Sequence, residues 1–309
     1  MTSIALPAAR ERRRLRLSAR ARRNLAGWGF SLPFLILYAV FELVPVVAAL
    51  GFSFTDLRSR DLLNPLNVDP VGTANYARLL SDDVFWQAIA NTLYFAAVTV
   101  PLTIVIGMAL AFALNSGINR LKTFFRVSYY LPVVSSIVAI AVIFRYLLGQ
   151  EIGLVNVVLG WFGIDGPNWL MDPFWAMPSL IGMAVWRHVG FVMVIYLAGL
   201  QSIPGELYEA SSIDGASARQ RFWHVTLPLL RPTTLFLVIV SVIGNLQFFE
   251  EPFVMTGGGP LHRTTSISFL IYDTFGTGQY GYAAAISYVL FLVIALLSVV
   301  QFRLLRSTS

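Results

Sequence analysis

The feature that most limits what this chain can fold into is a set of six apolar segments. They cover residues of about 27–54, 85–114, 124–148, 174–200, 233–254 and 280–302. About 20 apolar residues in a helix cross a hydrocarbon core of roughly 30 Å. Only helices and closed barrels satisfy their own backbone hydrogen bonds in lipid. The sequence therefore predicts an all-α membrane protein with six transmembrane helices.

The composition supports this class and excludes several kinds of chemistry. Hydrophobic residues make up 57% of the chain and charged residues 12%, whereas soluble proteins carry about 25% charged residues. The chain has no cysteine, and its three histidines, His188, His224 and His262, are too scattered for a zinc motif. The single lysine, Lys122, follows no glycine-rich phosphate loop. We expect no catalytic or metal centre, and no cofactor bound by this chain.

The distribution of basic residues predicts the orientation in the membrane. With the N-terminus inside, sixteen of the 22 lysines and arginines fall in cytoplasmic segments and four in outer segments. This positive-inside bias places both termini in the cytoplasm. The domains predicted are a basic tail, residues 1–24, and a transmembrane domain, residues 25–309. Binding of nucleic acid by the tail is the less favoured alternative, and a cleaved signal peptide is disfavoured because the first apolar segment is too long.

The longest polar interruption in the C-terminal half, about residues 202–230, has the pattern of an ordered hairpin. Pro204 suits the first turn of a helix, and Glu206 lies near the positive end of that helix dipole. Asp214-Gly215 predicts the end of the helix in a left-handed cap. An amphipathic helix resting on lipid headgroups is the alternative explanation. On this topology the loop is cytoplasmic.

The same loop carries a motif with fixed internal spacing. It resembles the EAA signature of ABC importer permeases, E-A-A-x-x-D-G-A followed by F-x-x-I-x-L-P, through Glu209-Ala210-Ser211, Asp214-Gly215-Ala216, Phe222 and Val225-Thr226-Leu227-Pro228. Serine and valine replace one alanine and the isoleucine of the signature. Other stretches are similar to the carbohydrate-importer branch, which includes maltose-, glycerol-phosphate- and oligosaccharide-type permeases: Asn91-Thr92-Leu93, Leu131-Pro132, Gly153-Leu154-Val155-Asn156, Trp186, residues 198–204 and Met255-Thr256-Gly257-Gly258-Gly259-Pro260.

The resemblance implies the type I ABC importer permease fold in a bacterial cell membrane. It also implies that residues 206–215 form a coupling helix docking in a cleft of a separate ATPase subunit, which would bind ATP and Mg²⁺. The residues expected to mediate coupling are Glu206, Glu209, Ala210, Asp214, Gly215 and Ala216. The partners implied are a second homologous permease, two ATPase subunits and an extracytoplasmic sugar-binding lipoprotein.

Polar residues within the apolar segments indicate the substrate pathway. Arg187 and His188 lie near the middle of the fourth segment, where a charge is costly and indicates function. Ser241, Asn245 and Phe248 recur at helical spacing in the fifth. The resemblance to maltose-type permeases implies that Arg187, His188, Phe191, Ser241 and Asn245 line the sugar pocket. Gln247, beside them, and Tyr129, on the third segment, complete the predicted pathway residues. Hydrogen bonding between helices is the alternative role, and Glu250 and Glu251 are expected at the membrane interface.

The function predicted is therefore import of a sugar or sugar derivative as the permease subunit of an ATP-driven transporter. A different solute carried by the same kind of machine is the first alternative. A secondary transporter or channel is the second, although no inverted repeat or ion-coupling carboxylate is visible. Arg187 leaves an anionic sugar or an amino sugar open as the substrate.

Overall fold

A computed structural model describes residues 19–64, 68–116 and 122–306. Most of the predicted basic tail lies outside these residues. The described chain is helical and contains no β-strand, which confirms the predicted all-α class. Its α-helices, α1–α14 in chain order, are Ala19–Tyr38, Val44–Phe52, Ala74–Leu80, Asp83–Ser116, Lys122–Val134, Ile137–Leu147, Leu154–Trp161, Ala176–Gln201, Gly205–Ile213, Ala218–Arg221, Leu227–Leu229, Arg231–Leu246, Ile267–Gly276 and Tyr280–Arg306.

The chain divides into two compact units after Gly51. In the first, α1 continues through a π-helical turn, Ala39–Leu43, into α2. Proline at position 45 has no N–H to donate to the carbonyl four residues earlier and clashes with it. The wider turn just before Pro45 accommodates this loss. Residues Gly27–Phe52 are long and apolar enough to cross a membrane.

The second unit is built on the pairing of α4 with α8. Their C-terminal halves enclose a cluster of buried side chains that includes Ile104, Val192 and Tyr196. Close approach is possible because Gly107 of α4 faces Val192, where a Cβ atom would collide with the valine side chain. The glycine thus lets the two helix backbones approach closely, as small residues commonly do between transmembrane helices.

The third apolar segment is not one continuous helix. It breaks after Val134 into α5 and α6, whose axes differ by 98°. Ser136 begins the second helix by accepting a hydrogen bond from Ala139 N–H at 3.5 Å, and Pro132 lies in the last turn of the first. Gly190 of α8 packs against the Tyr129 carbonyl of α5. The sequence predicted one helix over this segment, so the bend is the first difference between the prediction and the structure. No glycine at the break indicated it.

The fifth segment, predicted to continue to about residue 254, also ends early. Helix α12 stops at Leu246, and the chain re-forms only a π-helical turn, Pro252–Thr256. Gln247 to Phe249 are not helical. Phe248 therefore does not share a helical face with Ser241 and Asn245, contrary to our expectation. The prediction failed because the apolar pattern continues through a stretch whose backbone is held by tertiary contacts.

Beyond this break, α4 contacts the loop that follows Gly257. Asn91 Nδ2 donates to the carbonyls of His262 and Thr265 at 2.7 and 2.9 Å. Buried Thr92 Oγ1 accepts from Ile267 N–H at 3.1 Å. The Asn-Thr pair noted in the sequence thus connects α4 to the loop and to α13.

Within the described residues, four helices are long and apolar enough to cross a membrane. They are Gly27–Phe52, Asp83–Asn115, Ala176–Gln201 and Tyr280–Gln301. The two bent pairs, α5 with α6 and α10–α11 with α12, raise the number to six if each is one span. The chain is therefore a multi-pass membrane protein.

Candidate functional site

A cavity of about 280 Å³ lies between α8, α12 and the non-helical stretch after α12. Six of the seven pathway residues predicted from the sequence line it, namely Arg187, His188, Phe191, Ser241, Asn245 and Gln247. Thr103 of α4 and Ile137 of α6 complete other parts of the wall. Four segments far apart in sequence therefore converge on one polar cavity.

The two basic side chains of α8 are connected to each other. His188 Nδ1 lies 3.0 Å from the Ala184 carbonyl, which can only accept, so Nδ1 carries the proton. The other ring nitrogen, Nε2, then accepts from Arg187 Nη1 at 3.1 Å. His188 is thereby a neutral positioning group for the guanidinium. Arg187 Nε is buried and has no hydrogen-bond partner among the described residues.

Asn245 is oriented by its own helix. Its Nδ2 donates to the Ser241 carbonyl at 2.8 Å, which is the i−4 contact of helical geometry. This bond uses one amide proton and leaves the amide oxygen directed elsewhere. Asn245 can therefore offer an acceptor and a second donor to a ligand hydroxyl in the cavity.

Two acidic residues on the cavity wall were not expected there. Glu250 and Glu251 both line the cavity, and Glu251 is only 3% exposed. In the part of the chain that the structure describes, Glu251 Oε2 has no hydrogen-bond partner. We expected this pair at the membrane interface, and its place on the cavity wall is a further finding. Their position inside an apolar segment was the signal that indicated a function.

Tyr129 lies apart from the other predicted pathway residues. It lines a separate apolar groove together with Trp186 and Leu102, and its ring stacks on Phe125 with centroids 6.4 Å apart. Ser135, at the break between α5 and α6, donates to the Leu131 carbonyl. Tyr129 therefore lies in a different groove from the other six predicted pathway residues.

The predicted polar hairpin is present. Helix α9 spans Gly205–Ile213, and Gly215 follows with φ +76°, the left-handed conformation expected for the glycine. Tyr208 Oη and Thr226 Oγ1 are hydrogen-bonded at 3.0 Å, and Arg221 Nη1 donates to Ser212 Oγ at 2.7 Å. These two bonds hold α9 against the segment that leads into α12.

The surface of this hairpin is accessible. Glu206, Glu209, Ala210, Asp214 and Gly215 are exposed, and Ala216 is half-buried. Ile213 is 87% exposed.

Comparison with known proteins identifies the class. Residues 103–307 match the family described as binding-protein-dependent transport system inner membrane component. The chain belongs to this family, and the predicted relationship to ABC importer permeases is confirmed. It is a transport subunit rather than an enzyme.

Individual relatives cover nearly the whole chain. A lactose transport system permease protein from Rhizobium radiobacter is 40% identical over 92% of this chain and 95% of its own length. A multiple sugar-binding transport system permease protein from Streptococcus mutans is 37% identical over 90% and 94%.

A solved bacterial ABC transporter involved in the import of the acidic polysaccharide alginate has a similar fold. One of its chains matches with a TM-score of 0.80 and 26% identity, over 93% of this chain and 96% of that one. The same transporter has been solved in complex with an alginate pentasaccharide-bound periplasmic protein.

Proposed function

We propose that this chain is the permease subunit of an ATP-driven importer for a sugar or sugar derivative, in a bacterial inner membrane. The observation that carries the proposal is the cavity, in which Arg187, Asn245 and Gln247 meet Phe191 and Phe248. Sugar hydroxyls need hydrogen-bonding partners, and the C–H faces of a sugar ring pack on aromatic side chains. A volume of about 280 Å³ is near the lower end for small-molecule sites.

The proposal includes six transmembrane spans with both termini in the cytoplasm. The bent pairs α5–α6 and α10–α12 then count as one span each. The basic residues at 10–23 form a cytoplasmic tail, residues 1–24, and residues 25–309 form the transmembrane domain with the coupling loop at about 202–230. The cavity then lies within the membrane.

Hairpin α9–α10 is the proposed contact with the ATPase. Glu206, Glu209 and Asp214 present carboxylates there, while Ile213 presents an apolar anchor. ATP and Mg²⁺ bind to two partner ATPase subunits, and their closure moves the hairpin. A rigid hairpin transmits such a motion to the N-terminal end of α12. Thr226 is hydrogen-bonded to the hairpin, and its carbonyl accepts from Leu230 N–H just before α12 begins.

The remaining partners follow from the same assignment. A second homologous permease completes the transmembrane pathway, and an extracytoplasmic binding lipoprotein delivers the sugar. The relatives that carry the words lactose, multiple sugar and arabinooligosaccharides in their names support a sugar as the solute.

Reconstitution of the complete transporter tests this function. Liposomes with the two permeases, the ATPase and the binding protein are given lactose, maltose and an arabinobiose, and the lumen is assayed by mass spectrometry. We expect ATP-dependent accumulation of at least one of these sugars. If none accumulates while a non-sugar solute does, the sugar assignment is wrong.

Two variants separate the roles of the hairpin and the cavity. Glu209→Lys should leave the protein inserted but abolish ATPase association and uptake. Asn245→Ala should weaken uptake by roughly tenfold, the effect of about 1.4 kcal/mol, without loss of ATPase association. Normal uptake by both variants would contradict the assignment of these sites.

A further inference from the structure

An apolar groove of about 570 Å³ runs along one face of α4 and ends at hairpin α9–α10. Seven of its eight lining residues are apolar and the eighth is an arginine. They are Val105, Met108, Ala109, Phe112, Ala113, Ala218, Arg219 and Phe222. The five residues of α4 recur at spacings of three and four, so they share one helix face. Val105 is 61% exposed, and the groove is therefore open to the surroundings of the protein.

The end of the groove at the hairpin is held in place by aromatic packing. The rings of Phe112 on α4 and Phe222 after α10 meet edge to face with centroids 5.4 Å apart. The next residue, Trp223, packs its ring against Phe222 at 5.5 Å and is 54% exposed. Exposed tryptophans are enriched at the headgroup level of a membrane. This end of the groove therefore has the side chains of a membrane–water interface.

The length of α4 gives the depth of the groove in the bilayer. The helix has 34 residues, about 51 Å, against a hydrocarbon core of roughly 30 Å. A helix of this length centred in the bilayer leaves the hydrocarbon about ten residues past its midpoint, near Ala109. Val105 then lies in the hydrocarbon, whereas Ala113 and Arg219 lie among headgroups. On the proposed topology this is the cytoplasmic leaflet.

Arg219 is the charged residue of the groove. It is exposed, and within the described residues its guanidinium forms no hydrogen bond or ion pair. Arg221, two residues on, is instead bonded through Nη1 to Ser212 Oγ. Arginine packs its apolar stem along such a surface while its charged head stays in water. Since no carboxyl group lines the described groove, a cation stands at its polar end without a counter-ion.

The chemistry that fits both parts of the groove is that of a phospholipid. An acyl chain covers the apolar face of α4, and a phosphate accepts hydrogen bonds from the planar fork of the guanidinium. An anionic headgroup is favoured over a zwitterionic one, because the latter brings its own ammonium group towards Arg219. A bilayer also supplies lipid to every open apolar face of a protein within it.

We infer that the groove between α4 and residues 218–222 binds an anionic phospholipid of the cytoplasmic leaflet, with an acyl chain along α4 and the phosphate on Arg219. This site goes beyond the proposed function, which concerns the imported solute and the protein partners. A lipid bound in this way connects hairpin α9–α10 to the membrane surface.

Photochemical labelling tests the site in the complete transporter. The complex with the second permease and the ATPase is placed in phosphatidylcholine nanodiscs. Phosphatidylglycerol or phosphatidylcholine with a diazirine in one acyl chain is added at the same low mole fraction, and mass spectrometry measures labelling of residues 105–113. Labelling of Phe291 and Leu292, which are 60% exposed near the middle of α14, is the reference. The quantity compared is the ratio of labelling by the two probes.

We expect phosphatidylglycerol to label residues 105–113 about fivefold more than phosphatidylcholine, the effect of about one basic residue at an anionic surface. The two probes should label Phe291 and Leu292 equally. Arg219→Gln should bring the ratio at the groove to about one, whereas Arg219→Lys should retain a preference because it keeps the charge. Arg303→Gln removes an exposed charge near the end of α14, away from the groove, and should leave the ratio unchanged.

Three results would overturn the inference. Absence of labelling at residues 105–113 with normal labelling of α14 would show that protein, such as the second permease, covers the groove. Equal labelling by the two probes would show that the headgroup is not selected. An unchanged ratio in Arg219→Gln would remove Arg219 as the phosphate contact.

A second measurement covers the case in which Arg219→Gln does not assemble. The ratio in the unmodified complex should fall towards one at high salt, because a contact between exposed charges is screened, and a ratio that salt leaves unchanged would overturn the inference. The experiment contains no sugar, so a failure of the lipid site leaves the proposed function standing.

Discussion

The rings of Phe95 and Phe248 stack with their centroids 3.8 Å apart and their planes 5° from parallel. Phe95 belongs to α4, whereas Phe248 lies in the non-helical stretch after α12. Ser266 Oγ donates to the Phe248 carbonyl at 2.7 Å, so the residue is held through both its ring and its backbone. This anchor fixes the stretch that brings Glu250 and Glu251 to the cavity.

Replacement of Phe248 tests the anchor. Phe248→Ala removes a buried ring, at a cost of about 3–5 kcal/mol, and should release the stretch around Gln247. Since the chain has no cysteine, a Gln247→Cys variant reports this release by its rate of maleimide labelling. We expect faster labelling with Phe248→Ala and a much smaller change with Phe248→Leu. Equal rates in all three backgrounds would show that the stacking does not hold the stretch.

Gly190 tests the crossing of α5 and α8. A Cβ atom there would lie 2.6 Å from the Tyr129 carbonyl carbon and closer still to its oxygen. Gly190→Ala should therefore destabilise the complex by about 1–3 kcal/mol through overpacking, measured by thermal unfolding in detergent. Gly182→Ala on the same helix is the control, since nothing lies within 4 Å of its Cβ position. If both variants unfold at the same temperature, the two helices do not cross as described.

Gly215 tests the geometry of the coupling hairpin. Its φ of +76° costs a residue with a side chain about 1–2 kcal/mol. We expect Gly215→Ala to weaken ATPase association about 5–30-fold, measured by co-purification at graded ATPase concentrations. Gly205→Ala, at the start of α9 and with open space around it, should retain association. Stronger binding by Gly215→Ala would indicate that the left-handed turn is not used in the docked state.

Thr92 tests the contact between α4 and α13. Thr92→Val leaves the buried Ile267 N–H without its acceptor, at an expected cost of about 1–3 kcal/mol. Thr92→Ser keeps the hydroxyl and should be close to the unmodified protein in thermal unfolding. Similar losses for both variants would mean that the methyl group, not the hydrogen bond, stabilises this junction.

Several features of the fold and the site could be predicted from the sequence because they depend on local patterns. The apolar segments predict membrane helices, since crossing lipid demands about 20 apolar residues wherever they occur. Gly215 was predicted to end α9 because a left-handed cap favours glycine. Arg187, His188 and Asn245 were selected because polar groups within apolar segments are costly unless used.

Only the tertiary structure decided which of these groups meet. The apolar pattern of residues 124–148 and 233–254 does not encode the breaks after Val134 and Leu246, because these depend on contacts with α8, α4 and the loop before α13. After the break at Leu246, Glu251, which we expected at the membrane interface, lines the cavity. The same packing separates Tyr129 from the cavity. Sequence alone therefore determined the kind of protein, whereas long-range packing determined the charge set that its cavity presents to a substrate.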